Sequence, residues 1–195
     1  SCGAGFSLRI FVLANIKPRR LKPAPRNSIL RQQVSLAMRV AILTISDSVS
    51  RGTSKDASGP AVRERCEKLT WTVISEEVCP DEVAAIRDRL ISLADGGAVE
   101  LILTTGGTGI GPRDVTPEAT TQACEKLLPG LSELMRDEGR KKTPRAVLSR
   151  SVAGVRGRVL IVNLPGSPRG AIESLDAVAD LLPHALQVLG GARHD

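Results

Sequence analysis

Tyrosine is absent from this 195-residue chain, and Phe6, Phe11 and Trp71 are its only aromatics. Proteins that hold single-stranded nucleic acid stack bases on aromatic faces, and that platform is missing here. Histidine is scarce too, with only His184 and His194, both late in the chain. No Ser–His–Asp set and no G-x-S-x-G elbow can be drawn, which disfavours hydrolase chemistry of that kind. The four cysteines, Cys2, Cys66, Cys79 and Cys124, form no C-x-x-C pair and lie far from both histidines, so no zinc site is expected. Cys66 and Cys124 fall in helical patterns and read as small core residues. Such usage suits a reduced, cytoplasmic protein. No apolar run approaches the length of a membrane span, so no membrane partner is expected.

Acidic residues are missing from one end. Residues 1–37 hold Arg9, Lys17, Arg19, Arg20, Lys22, Arg26 and Arg31 and no acid. The formal net charge of +6 therefore belongs to this segment, and the remainder is one charge on the negative side. A nucleic-acid binder needs a basic face on its folded body, so that class is disfavoured a second time. Pro18, Pro23 and Pro25 interrupt the segment. An Arg-rich, acid-free start suits either an organelle transit peptide or an extension upstream of the natural start that is not native to the working protein. Met38 stands directly before the first good strand, which favours the second. The expected organisation is a disordered N-terminal extension, 1–37, and one domain, 38–195.

From Met38 onwards, strand and helix patterns alternate. Arg39–Ile45 is a strand, followed by Ser46-Asp47-Ser48 and a polar loop to Gly59-Pro60. Pro60–Leu69 is helical, and Trp71–Val78 is a second strand. Cys79-Pro80-Asp81-Glu82 opens a helix through Ala94, with Asp81 placed to cap it. Leu101–Leu103 is a buried strand with no polar alternation. Pro129–Arg140 is a helix, and 148–157 has strand character around a glycine turn. Arg158–Asn163 is the last strong strand, and Leu164-Pro165-Gly166-Ser167-Pro168 leads into a helix Arg169–Leu189, stopped by Gly190-Gly191. This alternation with short links predicts an α/β fold with a mostly parallel sheet. The ends at Ser46-Asp47, Thr105–Asp114 and Pro165–Ser167 should then lie along one edge, as parts of one site.

The richest stretch is 104–120. Four glycines fall within the six positions 106–111 (Gly106, Gly107, Gly109, Gly111), with Thr108 among them, and Thr116-Pro117-Glu118 reads as a threonine-capped helix start. Strand, glycine loop and helix in that order aim backbone N–H groups at an anion. It is not a Walker loop, because Pro112 stands where lysine is needed, and Pro112 also replaces the third glycine of a dinucleotide fingerprint. Two readings remain at this level, a phosphate or nucleotide loop and a tight turn with no ligand. Asp81 and Asp114 are hard oxygen donors of the kind Mg²⁺ takes when phosphates and water complete its shell.

T-T-G-G-T-G at 104–109, R-D-V-T-P-E-A-T at 113–120, P-D-E at 80–82, L-S-R at 148–150 and N-L-P-G-S-P at 163–168 together resemble the Mog/MoaB family of molybdenum cofactor biosynthesis, over about residues 39–190. The resemblance implies a three-layer α/β/α sandwich and a homotrimer. It implies Mg²⁺-dependent transfer of AMP from ATP to the terminal phosphate of molybdopterin, and hand-over of the product to a downstream metal-insertion protein. Asp81 and Asp114 inherit the catalytic, metal-holding role, which displaces the capping role for Asp81. Gly106, Gly107, Thr108, Gly109, Pro165, Gly166 and Ser167 inherit nucleotide and pterin-phosphate binding, with Ser46, Asp47 and Ser149 lining the site. Members of the MoaB branch without transferase activity depart from R-D-V-T-P-E-A-T, which is complete here. The alternative is a pterin-binding or scaffold module without turnover.

Overall fold

Alternation of apolar side chains on both faces of the central strands dictates the architecture. The computed structural model describes residues 38–191; the expectations for residues 1–37, Cys2 and His194 lie outside them. The strands are β1 (Arg39–Ile45), β2 (Thr72–Cys79), β3 (Leu101–Thr105), β4 (Lys126–Leu127), β5 (Ala153–Arg156) and β6 (Val159–Leu164). The helices are α1 (Asp47–Ser50), α2 (Ser58–Lys68), α3 (Val83–Asp95), α4 (Thr116–Ala123), α5 (Pro129–Arg140), α6 (Pro168–Val178) and α7 (Leu182–Leu189), with a 3-10 turn at Pro144–Leu148. The six strands form one sheet in the order β2-β1-β3-β6-β5-β4. β2, β1, β3 and β6 are parallel, whereas β5 and β4 are antiparallel additions.

Val40, Ile42, Leu101, Leu103, Leu160 and Val162 point to one face, where they meet Val62 and Cys66 of α2, Met135 of α5, Leu175 of α6 and Leu182 of α7. Ala41, Leu43, Ile102 and Ile161 point to the other face, against Ile86 and Leu90 of α3 and Ala119 of α4. Ile86, Leu90 and Ala94 recur every four residues, so they form one stripe on α3. Burying each large side chain of this kind contributes roughly 1.5–3 kcal/mol. The result is an α/β/α sandwich whose central parallel strands, β1, β3 and β6, are covered on both faces, whereas β2 at the edge leaves one face exposed.

Four local readings of the sequence change. The single C-terminal helix Arg169–Leu189 is two helices, broken at residues 179–181. Pro183 sits in the first turn of α7; it has no N–H to continue α6 and its ring crowds the preceding turn. β4 leaves no mark in the sequence, because both its residues are exposed and carry no burial pattern. Of the 148–157 run only Ala153–Arg156 is strand. Thr116 does not cap α4: the cap is Val115, and the Thr116 hydroxyl instead donates to the Gly106 carbonyl at 2.9 Å.

Candidate active site

Because β1, β2, β3 and β6 are parallel, their carboxyl ends lie along one edge of the sheet, where crevices form in open α/β folds. The turns gathered there are Ser46-Asp47 after β1, Pro80-Asp81 after β2, Gly106–Asp114 after β3 and Pro165–Ser167 after β6. Beneath them the strands end in polar side chains. Asn163 donates to the hydroxyls of Thr104 (2.9 Å) and Thr120 (2.8 Å) and accepts from the Val152 N–H at 3.2 Å. The fully buried amide is thereby satisfied, and it ties β3, α4 and the lead-in to β5 together.

The glycine loop is shaped by its first two residues. Gly106 and Gly107 have φ of +100° and +60°, in the left-handed region that L side chains rarely adopt. A Cβ on Gly106 would run into the Ile45 carbonyl, and one on Gly107 into the Thr116 hydroxyl, with Asp81 Oδ1 3.2 Å away. The Gly106 N–H donates to Leu164 O at 3.2 Å, and Thr116 N–H to Gly107 O at 3.1 Å, so the loop is anchored to β6 and to α4.

Two cavities open on this edge. One, of about 530 Å³, is lined by Thr108, Gly109, Ser149, Pro165 and Ser167, with Met135, Ile110 and Leu148 as an apolar wall and Arg136 and Arg145 as cations. The other, of about 430 Å³, is lined by Ser46, Ser48, Lys55, Asp81, Gly106 and Arg113. Gly107, Asp114 and Gly166 border both. Asp114 therefore stands in the partition. Its Oδ2 accepts the Gly111 N–H at 2.7 Å, and its own N–H donates to Gly111 O at 3.0 Å.

Asp81 is not a helix cap either; Glu82 occupies that position. Asp81 is tied to Asp47 in both directions. Asp47 N–H donates to Asp81 Oδ2 at 2.7 Å, and Asp81 N–H donates to Asp47 Oδ1 at 3.2 Å. The other oxygen of Asp47 accepts from Arg113 Nε at 3.0 Å. Partial desolvation pushes the Asp47 carboxyl up, but the Arg113 hydrogen bond, the Asp81 N–H and the charges of Arg113 and Arg51 together hold it below its ordinary value. Both carboxylate oxygens are thus engaged, and Asp47 does not line either cavity; it sits behind Asp81 and orients it. Ser46 lines the second cavity and caps α1, accepting from Val49 N–H at 3.3 Å. Ser167 caps α6, accepting from Gly170 N–H at 3.2 Å.

Two residues outside the expected site support it. Asp56 accepts from the Thr44 hydroxyl (2.6 Å) and from the N–H groups of Ser58 and Gly59 (both 3.0 Å), which satisfies the first N–H groups of α2 and anchors β1 to it, although Ala57 is the cap residue. An acid just ahead of Ser58-Gly59-Pro60 was the available signal, since helix starts favour such acceptors. Arg150 reaches three acceptors on or beside the glycine loop.

The family described as "Probable molybdopterin binding domain" matches residues 41–184. The molybdopterin adenylyltransferase of Helicobacter pylori strain J99 is 40% identical over 154 residues, which span 78% of this chain and 88% of that protein. That of Escherichia coli K12 is 37% identical over 168 residues, spanning 79% of this chain and 86% of that protein. Among solved structures, the molybdopterin biosynthesis enzyme MoaB of Thermus thermophilus aligns with a TM-score of 0.75 at 51% identity, covering 81% of this chain and 99% of that one. The chain belongs to the molybdopterin-binding family of molybdenum cofactor biosynthesis, with its α/β fold and mostly parallel six-stranded sheet.

Proposed function

We propose that the chain is a molybdopterin adenylyltransferase. The observation that carries this reading is the pair of cavities sharing one wall at Gly107, Asp114 and Gly166, with Asp81 on the same floor. Two substrates entering from opposite sides meet at that wall. A terminal phosphate oxygen of molybdopterin attacks the α-phosphorus of ATP, the bond from that phosphorus to the β-phosphate oxygen breaks, and pyrophosphate leaves. The backbone N–H groups of the glycine loop, and Lys55, Arg113, Arg136 and Arg145, supply donors for the phosphate oxygens. Holding both substrates against one wall supplies proximity, and fixed donors supply electrostatic stabilisation of the charge that builds on the α-phosphate.

The donor set suits Mg²⁺. Asp81 and Asp114 each give one oxygen to a backbone N–H, and the second oxygen of each accepts no hydrogen bond among the described residues. Mg²⁺ takes one or two carboxylates of this kind and leaves the rest of its shell to phosphates and water. Bound there by Asp81 and Asp114, Mg²⁺ would neutralise phosphate charge.

Four further parts of the reading go with this one. The working domain is 38–195. The assembly is a homotrimer, which static light scattering at micromolar concentration checks directly: a monomeric mass refutes it. The compartment is the cytoplasm, in keeping with free thiols at Cys66, Cys79 and Cys124, and the product passes to a metal-insertion protein. The deciding experiment incubates the purified chain with ATP, Mg²⁺ and molybdopterin and measures pyrophosphate and adenylylated pterin. Tight pterin binding without pyrophosphate release would make the chain a binding module instead.

A further inference from the structure

Arg150 lines neither cavity, yet it holds the glycine loop at three carbonyls. Its backbone N–H donates to Thr108 O at 2.9 Å. Its guanidinium donates through Nε to Gly109 O at 2.6 Å and through Nη2 to the Asp114 carbonyl, while Nη1 pairs with the Glu118 carboxylate in the first turn of α4. That hydrogen bond holds the Glu118 carboxyl below its ordinary value. Gly109 and Asp114 are the two stems of the loop segment 109–114, whose tip, Ile110, is 71% exposed. Between the stems, the segment's own closure among the described residues is the two Gly111–Asp114 hydrogen bonds. A planar fork with donors in fixed directions can hold both stems and an anion at once, which a single ammonium cannot.

We propose that Arg150 is a positioning residue that sets where Asp114 stands in the partition between the two cavities, by clamping both stems of the 109–114 loop and pinning them to α4 through Glu118. The proposal rests on the transferase reading for its activity readout, though not for its structural one. Misplacing a reacting group by about 1 Å costs about 10²-fold in rate. Loss of the clamp should therefore appear in kcat and leave substrate affinity, set by the glycines and cations, nearly unchanged.

The test uses the full chain as wild type, Arg150→Lys and Arg150→Ala. Amide hydrogen exchange is followed at Gly111 and Asp114 without substrate, and kcat and KM for ATP are measured in the AMP-transfer assay. The expected result is at least about tenfold faster exchange at both amides in Arg150→Ala. Its kcat should fall by about 10–10²-fold with KM within about threefold, and added guanidinium ion should restore part of the turnover. Arg150→Lys should remain closer to alanine than to wild type, and it decides the matter if the alanine variant does not fold. Exchange unchanged at both amides, or a lysine variant with wild-type kcat, overturns the proposal. If wild type itself transfers no AMP, the transferase reading falls and the exchange data alone judge the clamp.

Discussion

Asp114 has no helix to cap, since Val115 holds that place, and its carboxylate meets the Gly111 N–H. Asparagine at 114 keeps an oxygen for that donor while losing the charge. Asp114→Asn should accordingly lower turnover by roughly 10²–10³, the scale for losing one key electrostatic group. Its melting temperature should shift by no more than about 3 °C, the effect of about 1 kcal/mol in a chain of this size. Both are read on one sample, and a lowered melting temperature with intact turnover would give Asp114 a structural role only. Asp81→Asn should act in the same direction. Asp47 differs, because its partners are protein groups. Its carboxyl is depressed in the folded chain, so the stability it contributes is present above the unfolded value of 3.8 and is lost as pH falls through the lower folded value. In urea titrations, Asp47→Asn should be less stable than wild type at neutral pH, and the gap should close on acidification below that value. A gap independent of pH would contradict the assignment.

At the scale of elements, the turn after β3 is more tightly built than an ordinary glycine turn, and a pair of substitutions separates the two. Gly97, at φ +70°, has open space where a Cβ would go. Gly97→Ala should cost only the left-handed strain of about 1–2 kcal/mol. Gly106→Ala adds a collision with the Ile45 carbonyl and should cost clearly more, as urea unfolding of both variants would show. Equal losses would mean that the loop gives way easily. Much of this level was legible in the sequence. β1, β3 and β6 each hold an unbroken apolar run (40–43, 101–103 and 159–162), and the glycine, proline and threonine around each strand end mark the turns, so the sheet edge and most of its residues could be placed by order alone. What could not be read depends on distance along the chain. The reciprocal tie of Asp47 to Asp81 joins residues from two crossovers, and Asp81 next to a helix start looks like a cap until the fold brings Asp47 to it. Arg150 stands in a motif whose letters do not say that its fork reaches Gly109 and Glu118. Pro183 is a legible break, masked by the apolar pattern on either side of it.

For the molecule as a whole, the sequence sets residues 1–37 apart, with seven basic residues, no acid and three prolines ahead of the first strand. A chain starting at Met38 should therefore melt within a few degrees of the full chain and transfer AMP at the same rate; a large loss of either would give residues 1–37 a part in the fold or the site. Strand order carries another consequence, for the history of each molecule. β6, made last, lies between β3 and β5. While the ribosome is still adding residues 106–158, β3 has an open side. Gly106 waits for the Leu164 carbonyl, and Thr104 for the Asn163 amide. An unpaired apolar strand edge is an invitation to wrong partners, and long-range parallel pairing is slow. The nascent chain thus holds its glycine loop without the strand that seats it, and that edge stays half-made until residues 159–164 have been added.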